Sequence, residues 1–159
     1  MNETPLLNIP LQPIKTREQE HQLQIWDSFR KKYVILTPEE WVRQQLLLYL
    51  VHQLGYPIGR IHVEATIRIH SLVRRCDAIV YNQYLKPQMI VECKAPHIHI
   101  TDDTIMQIAH YNRSLQVPCL LISNGLSHYF LFRHSHTSPF TTHDTLPNYN
   151  WLLSNTRAF

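Results

Sequence analysis

The sequence predicts a domain of the α/β or α+β class, with an N-terminal arm and strands buried on both faces. The chain has 159 residues, of which 44% are apolar and 17% charged, a composition that suits one globular unit. Two stretches, Cys76 to Asn82 and Gln88 to Lys94, are apolar at successive positions, as in central strands covered from both sides. Two further runs carry helix-start signals followed by helical spacing.

Residues 1–36 read as an arm in which Ile14–Arg17 pairs with the alternating run Gln22–Trp26 across the charged turn Glu18-Gln19-Glu20. The first helix is expected over 38–54. Thr37 caps it, Pro38 takes the first helical position, Glu40 completes a T-x-x-E capping box, and Gly55 supplies the left-handed stop. Ile61 to Ile69 alternates as a half-buried strand, with Ile61, Val63, Ala65, Ile67 and Ile69 on one face. The two central strands follow, then a second helix over about 103–115, a buried strand Val117–Ser123, an Asn124-Gly125 turn and a returning strand His128–Arg133. These elements define a core over 37–134. The tail 135–159 is rich in His, Ser, Thr and Pro, with a short helix near Trp151.

Composition removes several function classes. Only Gly55, Gly59 and Gly125 occur, so neither a Walker loop nor a G-x-G-x-x-G fingerprint can be built, and motor ATPase, Rossmann and nucleotide-cofactor readings fall away. Cys76, Cys93 and Cys119 sit in apolar runs without C-x-x-C spacing, which fits buried thiols in a reducing cytoplasm. MNETPLLNIP lacks the pattern of a signal peptide, and no apolar run is long enough for a bilayer. The formal charge of +3 permits a nucleic-acid partner without demanding one.

The chemistry concentrates in Asp77 and the triplet Glu92-Cys93-Lys94, which lie on neighbouring antiparallel strands. Glu92 and Lys94 share a face. A simple register pairing Asn82 with Gln88 puts Asp77 on the wrong face, so either another register sets it opposite Glu92 or Lys94, or a bulge turns it there. Two carboxylates converging in an apolar sheet repel each other and lose hydration. A hard divalent cation relieves both, and Mg²⁺ typically takes one or two carboxylates plus waters and phosphate. The lysine can position a metal-bound water and offset charge on a phosphate oxygen. For Lys94 alone a buried ion pair would be the simpler account, but three such groups together favour a phosphodiesterase arrangement.

These residues resemble the PD-(D/E)xK nuclease superfamily. More narrowly, Thr37 to Gly125 is similar to the N-terminal nuclease domain of the type I restriction enzyme R subunit. The similarity runs through EEWVRQ in the first helix, Glu64, RRCDAIVY, VECKAP, QIAHY in the second helix, and SNG before the last strand. The resemblance implies a restriction-endonuclease-like core, a mixed sheet flanked by helices. It further implies Asp77, Glu92 and Lys94 as catalytic residues, with Mg²⁺ (or Mn²⁺) held by Asp77, Glu92, the Cys93 carbonyl and Glu64. Gln107 and Tyr111 would help hold DNA as a Q-x-x-x-Y pair, one helical turn apart. The expected activity is Mg²⁺-dependent endonucleolytic cleavage of DNA, with separate restriction or translocase subunits, or a second copy in a homodimer, as partners. The alternative is a non-catalytic DNA-binding or assembly module that keeps the fold.

Other signals are weaker. Arg30-Lys31-Lys32, Arg43 and Arg74-Arg75 could track phosphates, with Arg75 the best DNA contact and Arg43 a further one or a closing residue on the first helix. His97, His99, His134, His136 and His143 lack metal-site spacing and read as exposed polar positions.

Overall fold

The structure, a computed structural model, describes residues 4–69, 72–157 and 159, the side chains of Ile69 and Leu72 excepted. Three short strands, β1 (Thr16–Gln19), β2 (Gln22–Asp27) and β3 (Lys32–Ile35), form an antiparallel N-terminal sheet. The first reversal falls at Glu20 and His21, whose φ values are 52° and 60°, as a tight primed turn requires. Glu18 and Gln19 therefore pair with Leu23 and Gln22 and do not form the turn expected from their charge. The third strand was not foreseen: Lys32–Ile35 is too short to show alternation.

Helix α1 (Pro38–His52) starts where expected, with the Thr37 hydroxyl accepting the Glu40 N–H at 3.0 Å. The helix ends two residues before the expected 54, and Gly55 takes the left-handed conformation at φ 72°. Val42, Leu46, Leu47 and Leu50 pack on the sheet. The opposite side of the helix is buried too, because the extended N-terminal segment lies along it. Gln45 exchanges hydrogen bonds with the Gln12 main chain (2.7 and 3.1 Å), and the Trp41 indole donates to the Pro5 carbonyl at 3.0 Å. Main-chain partners of this kind allow glutamines to sit in a buried face.

The continuous strand expected over 61–69 breaks at Glu64, which adopts φ 51°. Its first part, β4 (Ile61–Val63), remains at the edge of the main sheet. Its second part, β5 (Thr66–Ile69), folds away to pair with β6 (Leu72–Arg75) as a separate two-stranded sheet. The Glu64 N–H to Asp77 carbonyl bond (2.7 Å) and the Cys76 N–H to Ala65 carbonyl bond (3.0 Å) hold the break. Ala65 and Ile67 are buried as the alternation predicts, whereas the side chain of Ile69 lies outside the described residues.

The main sheet continues with β7 (Ala78–Tyr81), β8 (Pro87–Cys93), β9 (Cys119–Ser123), β10 (His128–Phe132) and β11 (Thr141–His143), in spatial order β11-β10-β9-β8-β7-β4. Among the described residues only the β8–β9 pair is parallel. Parallel neighbours need a crossover, and α2 (Asp102–Leu115) provides it. Gln116 ends α2 in the left-handed region, and the Asn112 amide caps the exit by bonding both the Val117 N–H and its carbonyl. Met89, Val91 and Cys93 face α1, whereas Ile90, Ile79, Leu120 and Ile122 face α2. A last helix, α3 (Tyr149–Asn155), inserts Tyr149 and Leu152 into the α1 layer. It matches the short helix expected near Trp151, but edge strand β11, polar and three residues long, left no sequence signal. The result is the expected α+β class: a central mixed sheet flanked by helices.

Candidate active site

The site lies where β7 begins and β8 ends. Ala78 pairs with Val91, Ile79 with Ile90 and Val80 with Met89, but Tyr81 pairs with Pro87. That shift between Val80 and Tyr81 is a bulge, one of the two arrangements the sequence left open, with Gln88 as the extra residue. One step beyond Ala78–Val91, the same register sets Asp77 opposite Glu92. Asp77 occupies a bend just before β7. Its Oδ2 accepts the Cys93 N–H at 2.6 Å and its Oδ1 accepts Arg43 Nη1 at 3.1 Å.

Glu92 is 8% exposed. Its Oε1 accepts Lys94 Nζ at 2.9 Å, while its Oε2 is buried with no hydrogen-bond partner among the described residues. Burial first, and the neighbouring Asp77 charge second, push its carboxyl up to about 7, against the pull of Lys94. Burial also raises Asp77, although the Cys93 N–H and Arg43 work against it. Burial works against the charge on Lys94, but Glu92 more than offsets it, so the ammonium is held above its ordinary range. Two acids under strain and one secured cation thus converge at the strand ends.

Behind Asp77 runs a chain of alternating charges. Arg43 also binds Glu40 through Nη2. Glu40 accepts Arg30 Nη2 at 2.9 Å and the Gln44 amide at 2.7 Å. Arg30 in turn binds Asp27 through Nε and reaches Glu64 at 2.9 Å. Glu40 therefore does not complete a capping box; its carboxylate turns inward to two arginines, because leaving those arginines unpaired in a buried place would cost more than an uncapped N–H at a wet helix end. Arg30 was grouped with Lys31 and Lys32 as a phosphate-tracking surface, yet its side chain is 15% exposed and fully engaged. The one sequence signal for its role is the acid at Asp27, three residues earlier.

The remaining candidates are spread around this centre. Glu64 is 28% exposed; burial opposes its charge, but Arg30, then Arg43 and Arg75, hold its carboxyl below the ordinary range. Arg75 is 68% exposed and 3.5 Å from Glu64, whereas Arg43 is 11% exposed and committed to Glu40 and Asp77. Gln107 donates to the Tyr111 hydroxyl at 2.6 Å, on the outer and inner sides of α2 respectively. The Cys93 thiol is buried in the α1 layer and its pKa is raised well above the ordinary value, so it stays a neutral packing group. His97, His99, His134 and His136 are exposed, and His143 is half-buried.

The residues present fit a hard divalent cation. The unpartnered Oε2 of Glu92 and the mutual repulsion of Asp77 and Glu92 are what such an ion relieves, and both donors are oxygen, as Mg²⁺ prefers. Among the described residues no three His, Cys, Asp or Glu side chains form a set able to hold a metal ion, so water, main chain or substrate would supply the rest.

Residues 38–147 match the family described as type I restriction enzyme R protein N terminus. No match is found among curated proteins. Among solved structures, the fold is similar to a fragment assigned to the HsdR subunit of a type I restriction enzyme from Vibrio vulnificus YJ016. The TM-score is 0.54 with 17% identity over 76% of this chain. The chain spans 25% of the length of that structure.

Proposed function

This chain belongs to the type I restriction enzyme R protein N-terminus family, and on that premise we propose that it is a divalent-metal-dependent DNA endonuclease domain. The observation that carries the reading is Glu92, buried beside Asp77 with one oxygen unpartnered and Lys94 on the other.

Asp77 and Glu92 would hold Mg²⁺, which when bound supplies Lewis-acid polarisation of a phosphoryl oxygen and an acidified water. Arg43 and the Cys93 N–H keep the Asp77 carboxylate from swinging. Lys94, kept protonated by Glu92, offsets negative charge gathering on the phosphate, a role in which it donates hydrogen bonds and does not take a proton. Arg75, exposed at the rim, meets the DNA backbone. Gln107 and Tyr111 support the DNA from α2. DNA and the other subunits of a restriction system are the partners, and the cytoplasm is the compartment.

A second reading, a DNA-binding or assembly module without catalysis, is favoured by one fact: Arg43 already neutralises Asp77 without a metal. Cleavage of linear, nicked and supercoiled DNA with Mg²⁺ or Mn²⁺ separates the two. The nuclease reading expects cuts that Lys94→Ala abolishes while DNA binding persists. Intact DNA in every form, together with no metal binding by calorimetry, overturns it.

A further inference from the structure

The family match begins at residue 38, but the charge chain that ends on Asp77 begins before it, in the N-terminal sheet. Asp27 at the end of β2 is fully buried. Its Oδ1 accepts the N–H groups of Phe29 and Arg30 at 2.8 and 2.9 Å, and its Oδ2 accepts Arg30 Nε. The β2–β3 turn is thereby locked, and the plane of the Arg30 guanidinium with it. The two remaining nitrogens diverge to Glu40 and Glu64, each at 2.9 Å. A lysine at this position could keep the charge but not this three-way geometry.

Glu40 sits between two arginines. Arg43 gives one nitrogen to Glu40 and the other to Asp77. If Arg30 were lost, Glu40 would become the buried anion with the larger deficit and would draw Arg43 towards itself. Asp77 would lose its lateral hold and keep only the Cys93 N–H.

We propose that Arg30 is a positioning residue of the site, acting through Glu40 and Arg43 on Asp77, so that the N-terminal sheet is part of the catalytic apparatus. The inference rests on the nuclease reading for its effect on cleavage, but the mechanical link from Arg30 to Asp77 stands apart from it. It also explains why Arg30 is half-buried while its neighbours Lys31 and Lys32 are exposed.

The test compares the whole chain with Arg30→Lys, which keeps the charge and loses the fork, and with Lys15→Ala as an exposed control. Three measurements are made: Mn²⁺ affinity by calorimetry, single-turnover cleavage of duplex DNA, and the Cys93 amide resonance, whose proton sits on the Asp77 carboxylate. Arg30→Lys is expected to weaken Mn²⁺ binding about 10- to 100-fold, slow cleavage without changing the KM for DNA, and move the Cys93 resonance. Lys15→Ala is expected to change none of these. An unmoved Cys93 resonance, or unchanged Mn²⁺ affinity in a protein that binds the ion, overturns the proposal. If the unsubstituted chain neither binds Mn²⁺ nor cuts DNA, the nuclease reading fails and the Cys93 resonance alone decides the positioning link. Should Arg30→Lys fail to fold, Asp27→Asn frees the guanidinium while keeping an acceptor for the turn amides, and is judged by the same outcomes.

Discussion

On the α1 side of the site, Asp27, Arg30, Glu40, Arg43 and Asp77 alternate in sign and all three carboxylates are bonded on both oxygens. At the open end of β8, Glu92 has one oxygen on Lys94 and the other without a partner among the described residues. The two regions meet where Asp77 lies opposite Glu92 across β7 and β8. One is a completed electrostatic structure that fixes geometry. The other is deliberately short of a partner, which raises the energy of its charged form and makes it receptive to a cation. Placing both properties in one carboxylate would compromise each, and the fold divides them between neighbouring strands.

The comparison is broken most severely from the saturated side. Arg43→Ala leaves Glu40 and Asp77 buried without their shared cation, and is expected to cost about 3–5 kcal/mol in urea unfolding. A loss under about 1 kcal/mol would mean that these charges are hydrated in solution.

The unsaturated side is probed by pH. The folded Glu92 carboxyl is raised from 4.5 to about 7, so between those values the folded state holds a proton that the unfolded state has released. Stability of the metal-free protein therefore falls as pH rises through that window, by about 3 kcal/mol. Glu92→Gln should flatten this slope, and saturating Mg²⁺ should raise the melting temperature most at the alkaline end. A melting temperature that rises across the window would contradict the assignment.

A smaller effect tests the corner between the two regions. Glu64 holds φ 51°, which disfavours a residue with a Cβ by about 1 kcal/mol. Both Glu64→Gly and Glu64→Ala lose the contact with Arg30, so Gly should be the more stable of the two by that amount in thermal melts. Smallest of all, Tyr111→Phe removes the phenol that Gln107 meets. Because Gln107 is exposed and can turn to water, the cost should stay below about 1 kcal/mol. Any larger change in the affinity for DNA would then report contact and not folding.

Much of this division was legible in the residues, but unevenly. Strands β8 and β9 and both long helices could be read because apolar runs and caps are local signals. The approach of Asp77 to Glu92 could be posed as a choice between a shifted register and a bulge, since charges at the end of an apolar strand demand a partner. Arg30 could not be separated from Lys31 and Lys32, because three adjacent basic residues look alike until the turn that buries one of them is formed. Glu40 matched a capping pattern that is correct locally but yields to two arginines brought in by the fold. The strand break at Glu64 was hidden for the same reason: alternation continues through Ala65 and Ile67, and only the Asp77 carbonyl and Arg30 make the left-handed turn worthwhile.

The extra residue at Gln88 also sets the tempo of assembly. A hairpin that closes from the Asn82–Lys86 turn first forms the Tyr81–Pro87 pair. Continued without interruption, that ladder would join Asp77 to Val91, whose side chain belongs beneath α1. Each turn-first nucleation thus leads towards a mispaired intermediate that must unzip before α1 can dock. Refolding of this small domain should accordingly show a slow phase that disappears when Gln88 is deleted, because the ladder from Tyr81–Pro87 then runs without interruption to Asp77 opposite Glu92.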